Sequence, residues 1–191
     1  MLFKEKNDIE KWLNIYGIQN YRLIAHKDYG YVVNVDSSVD LVYSNITEIK
    51  IKFNEIKGNF NCSGNLLTSL KGCPEIVRGN FACSNNQLES LESSAKIVDG
   101  SFYCGYNKLI SLKGCPKIIN ENFECSYNNL ISLQYGPEIV NKYYYCGNNN
   151  LTIDGLKYLP NEIKSNFISM ENNKRLNELE KIDNFHELKE I

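Results

Sequence analysis

Cysteine recurs in this chain at a fixed interval of 21 residues, at Cys62, Cys83, Cys104, Cys125 and Cys146. Other columns keep the same step. Asn65, Asn86, Asn107, Asn128 and Asn149 form one, and Leu67, Leu88, Leu109, Leu130 and Leu151 another. Leu70, Leu91, Leu112 and Leu133 form a shorter one, and Phe60, Phe81, Phe102, Phe123 and Tyr144 supply an aromatic column. Self-similarity at one period restricts the chain to an array in which each unit packs on its neighbours. Each unit reads Phe-x-Cys-x-x-Asn-x-Leu-x-x-Leu, then a turn such as Gly72-Cys73-Pro74 or Gly114-Cys115-Pro116, then a β-branched pair. Those pairs are Ile76/Val77, Ile97/Val98, Ile118/Ile119 and Ile139/Val140.

Phe-x-Cys has the in-out period of a short strand. One unit cannot bury its apolar columns alone, but stacked units bury them jointly in a coil whose strands form a parallel sheet. A unit this short leaves no room for a long returning helix, so extended or 3₁₀ segments are expected on the outer side. The predicted class is an α/β repeat, a leucine-rich-repeat-like solenoid with a short-stranded parallel sheet. The predicted division is 1–38 for an N-terminal helix and hairpin cap, 39–168 for the solenoid and 169–191 for a C-terminal helix. Upstream, Val39, Leu41, Ile46, Ile49 and Ile56 lie 21 before Phe60, Cys62, Leu67, Leu70 and Val77, with Ser44 in the Asn column. Downstream, Phe167 follows Tyr144 by 23, which places two extra residues near Asp154-Gly155.

The Asn column has a structural explanation. An amide side chain donates and accepts, and so can satisfy backbone groups of its own turn and the next where the chain leaves the strand. The five periodic cysteines occupy an inward position, where Cys acts as a small hydrophobe. Disulfides are the lesser reading, because the seven cysteines are an odd number and stacked side chains run parallel. Zinc is also lesser, since no Cys-x-x-Cys pair exists. No metal or cofactor is expected.

At the N-terminus, Ile9, Trp12, Leu13 and Tyr16 share one face of a helix spanning Asp8 to Tyr16. Asn7 or Asp8 would cap it and Gly17 would end it. Ile18 to His26 and Tyr31 to Val35 read as strands around Lys27-Asp28-Tyr29-Gly30. At the other end Leu176, Leu179, Ile182, Phe185 and Leu188 suggest an amphipathic helix, a cap or a docking element.

A net charge of -2 lacks the basic footprint of a nucleic-acid binder, so no direct nucleic-acid contact is expected. The start, Met1-Leu2-Phe3-Lys4-Glu5-Lys6, turns polar at once, and no apolar run is long enough to span a bilayer. The expectation is a cytoplasmic protein with no membrane partner. The only histidines, His26 and His186, lie in opposite terminal regions, and no nucleophile–base or phosphate-loop motif occurs. The chain is therefore read as a non-enzyme.

If Phe and Cys face inward, the residue between them faces outward. Those residues are Asn61, Ala82, Tyr103, Glu124 and Tyr145, with Tyr106, Tyr127 and Tyr143 flanking. Tyr103, Tyr106, Glu124, Tyr127, Tyr143 and Tyr145 thus gather on the later turns and form the candidate partner-binding set. Tyr is frequent in binding hot spots, and it also suits exposed strands for packing reasons alone. The early turns carry Asn61, Ser63, Asn80, Ala82 and Ser84 at comparable places, and this asymmetry favours binding.

Trp12-Leu13 with Tyr16-Gly17-Ile18, the Val39-Asp40-Leu41 strand, Gly58-Asn59-Phe60-Asn61-Cys62-Ser63 and Leu70-Lys71-Gly72-Cys73-Pro74 resemble a family of leucine-rich-repeat-like proteins of tailed bacteriophages. The resemblance runs to about Phe167 and departs at Ser94-Ala95 and in the C-terminal helix. It implies a phage protein in the host cytoplasm that binds and inhibits a host protein. The implied target is a bacterial defence effector or nuclease complex, as for an anti-CRISPR or other anti-defence inhibitor. The alternative is a virion accessory or assembly protein that self-associates; monomer and dimer are both open.

Overall fold

The computed structural model describes residues 2–160, and beyond them the strands Glu162–Ile163 and Ile168–Ser169. The expected C-terminal helix and His186 lie outside the described residues.

The chain opens with helix α1 (Lys6–Ile15), which buries Ile9, Trp12 and Leu13. It starts two residues earlier than the sequence predicts, with Glu5 as an N-cap that makes no side-chain cap bond. Neither Asn7 nor Asp8 is the cap; both lie inside the first turn. The helix ends as expected near Gly17, at φ +63° with its N–H on Asn14 O. An antiparallel hairpin follows, β1 (Tyr21–His26) on β2 (Gly30–Val35).

From there the chain winds as a parallel β-solenoid of about five turns. Each regular turn contributes one strand to each of two faces. The first face is a seven-stranded parallel sheet: β3 (Val39–Asp40), β5 (Phe60–Asn61), β7 (Phe81–Ala82), β9 (Phe102–Tyr103), β11 (Phe123–Glu124), β13 (Tyr144–Tyr145) and β15 (Ile168–Ser169). The second face continues the hairpin through β4 (Phe53–Ile56), β6 (Ile76–Val77) and β8 (Ile97–Val98). It resumes with β10 (Ile118–Ile119), β12 (Ile139–Val140) and β14 (Glu162–Ile163). The outer arm expected as extended or 3₁₀ is thus extended and hydrogen-bonded into a sheet of its own. No 3₁₀ segment occurs among the described residues.

The second face is interrupted between β8 and β10. Here Ser94-Ala95 replace the Cys-Pro of the turns on either side, and Ser94 Oγ donates to Gly114 O at 2.7 Å. At the far end β15 pairs Ile168 with Tyr144. Phe167 lies outside the described residues. The extra residues are taken up in part by the short helix α2 (Ile153–Leu156), capped by Thr152, whose Oγ1 accepts Gly155 N–H at 3.0 Å.

The core is a set of stacked columns. Phe60, Phe81, Phe102 and Phe123 stack with centroids 4.9–6.0 Å apart, and Phe53 and Trp12 extend the series toward α1. Tyr144 ends the column, its hydroxyl buried without a hydrogen-bond partner. Gly136 stands where the other turns carry Cys or Ser, and a Cβ there would lie 3.3 Å from that hydroxyl. The same Cβ would crowd Leu133 O at 2.9 Å and Leu112 at 3.0 Å, so the turn Gly136-Pro137 has no room for the Cys of Gly72-Cys73-Pro74 and Gly114-Cys115-Pro116.

All seven cysteines are buried, and none is joined in a disulfide. Burial raises the thiol pKa of Cys73, Cys83, Cys104, Cys115 and Cys125, and pushes that of Cys146 up to about 12. The thiols of Cys62 and Cys104 donate to Ala82 O and Glu124 O in the next turn.

The Asn column is a hydrogen-bond ladder. Asn128 Nδ2 donates to Cys104 O (3.1 Å), Cys125 O (3.0 Å) and Ser126 O (3.3 Å), and its Oδ1 accepts Leu109 N–H (2.9 Å). Asn65, Asn86, Asn107 and Asn149 repeat this pattern on their own turns. Each carbonyl of Cys62, Cys83, Cys104 and Cys125 thereby receives two amide donors, one from its own turn and one from the next.

Candidate partner-binding face

The strand alternation that buries Phe102, Phe123 and Tyr144 turns Tyr103, Glu124 and Tyr145 outward. They sit side by side on β9, β11 and β13, with Tyr103 opposite Glu124 and Glu124 opposite Tyr145. Adjacent strands are ~4.8 Å apart, so the two tyrosine backbones stand ~9.6 Å apart with one carboxylate between them. Each of the three is half-buried, its base held by the sheet.

Glu124 is tied to the backbone on both sides. Its Oε1 accepts Ser126 N–H at 2.8 Å and its Oε2 accepts Gly105 N–H at 3.1 Å. Asp40 and Asn61, earlier in this column, each accept the N–H two residues ahead. Tyr103 has no such acceptor, so Glu124 reaches back one turn to serve Gly105. A Cβ at Gly105 would collide with this carboxylate. Burial raises the Glu124 pKa above the usual carboxylate range, against the opposing pull of the Ser126 and Gly105 amides.

Tyr106 and Tyr127 lie beyond the strands, at the corner of the coil. They belong to a column held in the left-handed region: Tyr43, Gly64, Asn85, Tyr106, Tyr127 and Asn148, with φ from 50° to 68°. This conformation costs a bulky L-residue ~1–2 kcal/mol, and the stacked turns impose it once per repeat. Tyr106 and Tyr127 stack face to face, 4.2 Å between centroids and 10° from parallel, each about half exposed. The Tyr127 hydroxyl against that of Tyr106 raises the Tyr106 pKa above the ordinary phenol range. Tyr143 lies 5.9 Å from Tyr145, ring to ring, in a tilted arrangement. The six residues thus form two groups: the row with Tyr143 on the sheet, and the Tyr106–Tyr127 pair at the corner.

Two features of the coil lie outside the columns of the repeat described above. Asn80 belongs to a second polar ladder, in which the side chains of Ser38, Asn59, Asn80, Ser101 and Asn122 each accept the N–H 21 residues later. The signal was the polar residue before each aromatic. The second face carries an outward isoleucine column, with Ile97 at 46 % and Ile118 at 51 % exposure. The β-branched pairs encode it, since the second member of each pair is the buried one.

Among the described residues no group of three His, Cys, Asp or Glu side chains is placed to hold a metal ion, and no helix is long and apolar enough to cross a membrane. His26 lies in the β1–β2 hairpin, where its Nδ1 accepts Asp28 N–H at 3.2 Å. No protein-family model, curated protein or solved structure matches the chain.

Proposed function

We propose that this chain is a non-enzymatic binding module that engages a partner protein through Tyr103, Glu124 and Tyr145, with Tyr143, Tyr106 and Tyr127 at the margins. The observation that carries the reading is the rigid base of the row: three outward side chains in parallel register on strands whose inward residues are fully buried. Tyrosines held this way lose little entropy when a partner covers them, and they bring a large contact area with few rotors.

The finer form of the proposal is an inhibitor of a bacterial defence effector, anti-CRISPR-like or directed at another system, acting in the host cytoplasm. It rests on the resemblance of the repeat to phage proteins. Capture from bacterial lysate tests both levels, with wild type compared against Tyr103→Ala/Tyr145→Ala of equal thermal stability. A defence component retained by wild type and lost by the variant is the expected outcome. Equal retention by both removes this face from the interface.

The exposed Ile97 and Ile118 favour a second reading, a virion accessory or assembly protein that associates with itself. Sedimentation equilibrium of wild type and Ile97→Lys/Ile118→Lys separates the two. A concentration-dependent dimer abolished by the substitutions supports self-association, and a monomer throughout removes it.

A further inference from the structure

The acidic centre of the tyrosine row suggests the chemistry of what docks there. Glu55, Glu75, Asp99 and Glu121 each hold an ion-pair partner within the coil. Among the described residues no Lys, Arg or His pairs with Glu124, whose oxygens accept one backbone N–H each. A carboxylate offers about four lone-pair sites, so one remains on each oxygen. Gly105 allows the group to lie against the preceding turn, and Tyr103 and Tyr145 are its register neighbours one strand away on either side.

We propose that this row is the seat for an arginine side chain of the partner protein, its guanidinium bonded to both Glu124 oxygens and packed against Tyr103 and Tyr145. The planar fork of arginine meets a carboxylate through two parallel N–H bonds and also lies flat on aromatic rings. A lysine ammonium is a single point of charge and cannot do both in one plane. A docked cation would favour the charged carboxylate and so oppose the desolvation that raises the proton affinity of Glu124. The inference rests on the proposed use of this face and adds the identity of the anchoring group.

The test uses the full chain carrying ¹³C-labelled Glu and Tyr, observed by NMR. The probes are N-acetyl-arginine amide and its uncharged isostere N-acetyl-citrulline amide. The expected result is saturable shifts of the Glu124 carboxyl and of the Tyr103 and Tyr145 rings with the arginine probe, and no saturation with citrulline. Glu124→Gln should weaken the arginine probe about tenfold or more. Equal response to both probes, or binding unchanged by Glu124→Gln, overturns the proposal; the probe comparison uses wild type and stands even where a variant fails to fold. Capture of a partner by Glu124→Gln and by Tyr103→Ala/Tyr145→Ala completes the test. Loss with both supports the arginine seat. Loss with the tyrosines alone overturns the seat and leaves the face. Retention by both overturns both.

Discussion

Asn128→Asp should destabilise the coil at least as much as Asn128→Ala at pH 7, and far less at pH 4.5. In the alanine variant Leu109 N–H loses its acceptor, while Cys104 O and Cys125 O each keep one amide donor, from Asn107 and Asn149. One orphaned buried N–H costs about 1–3 kcal/mol, and the cavity brings the expected loss to about 2–4 kcal/mol. In the aspartate variant one oxygen still accepts Leu109 N–H, but the other replaces Nδ2 and faces three carbonyl oxygens. The folded state must then hold the acid protonated. Neutralising an aspartate of ordinary pKa ~3.9 costs about 4 kcal/mol at pH 7 and about 1 kcal/mol at pH 4.5. The folded pKa is raised above the unfolded one, so stability is present at low pH and is lost as pH rises through the carboxylate range. Urea unfolding followed by circular dichroism at the two pH values reads the result. A recovery of about 3 kcal/mol at pH 4.5 for the aspartate variant, beyond any change in wild type, is expected. An aspartate variant whose stability relative to wild type is the same at both pH values would refute the ladder as the reason for asparagine.

Glu124 also has a raised pKa in the fold, so ionising it lowers stability as pH rises. The difference in Tm between Glu124→Gln and wild type should move in favour of Gln from pH 4 to pH 8, and movement the other way means the two amides outweigh burial. Tyr144→Phe removes a buried hydroxyl without a partner and should raise stability by about 1–2 kcal/mol in chemical unfolding; a loss would show that the hydroxyl is bonded. Ser93 and Gly114 occupy the same left-handed turn position, at φ 67° and 96°. Ser93→Gly should therefore raise Tm, and Gly114→Ala should lower it by several degrees, since a Cβ at Gly114 would collide with the backbone at Leu91 and Glu92. The buried thiols should ignore a disulfide reagent in the native state and react together on unfolding, whereas rapid labelling of one or two would expose a mobile turn.

The columns made the coil legible before any coordinates. A residue that is aromatic or apolar every 21 positions has to be stacked, and Phe-x-Cys can alternate only as a strand. The second sheet was less legible, because Ile76/Val77 and its counterparts are two residues long, and an apolar pair carries no period of its own. The cap of α1 was misplaced because Asn7 and Asp8 are good capping types, yet burying Ile9, Trp12 and Leu13 against the coil sets where the helix begins. On the candidate face the outward direction of Tyr103, Glu124 and Tyr145 followed from alternation. The reach of Glu124 back to Gly105 did not, because it joins residues 19 apart through a gap that only stacking creates.

The asparagine ladder has a direction. From Ile46 to Leu130 the aliphatic N–H at this corner is accepted by the asparagine 19 residues later, never by an earlier one: Ile46 by Asn65, Leu67 by Asn86, Leu88 by Asn107, Leu109 by Asn128 and Leu130 by Asn149. At this corner each turn is therefore completed by the one that follows it, so cutting the array back from its C-terminal side leaves the last remaining turn with an aliphatic N–H stripped of its side-chain acceptor.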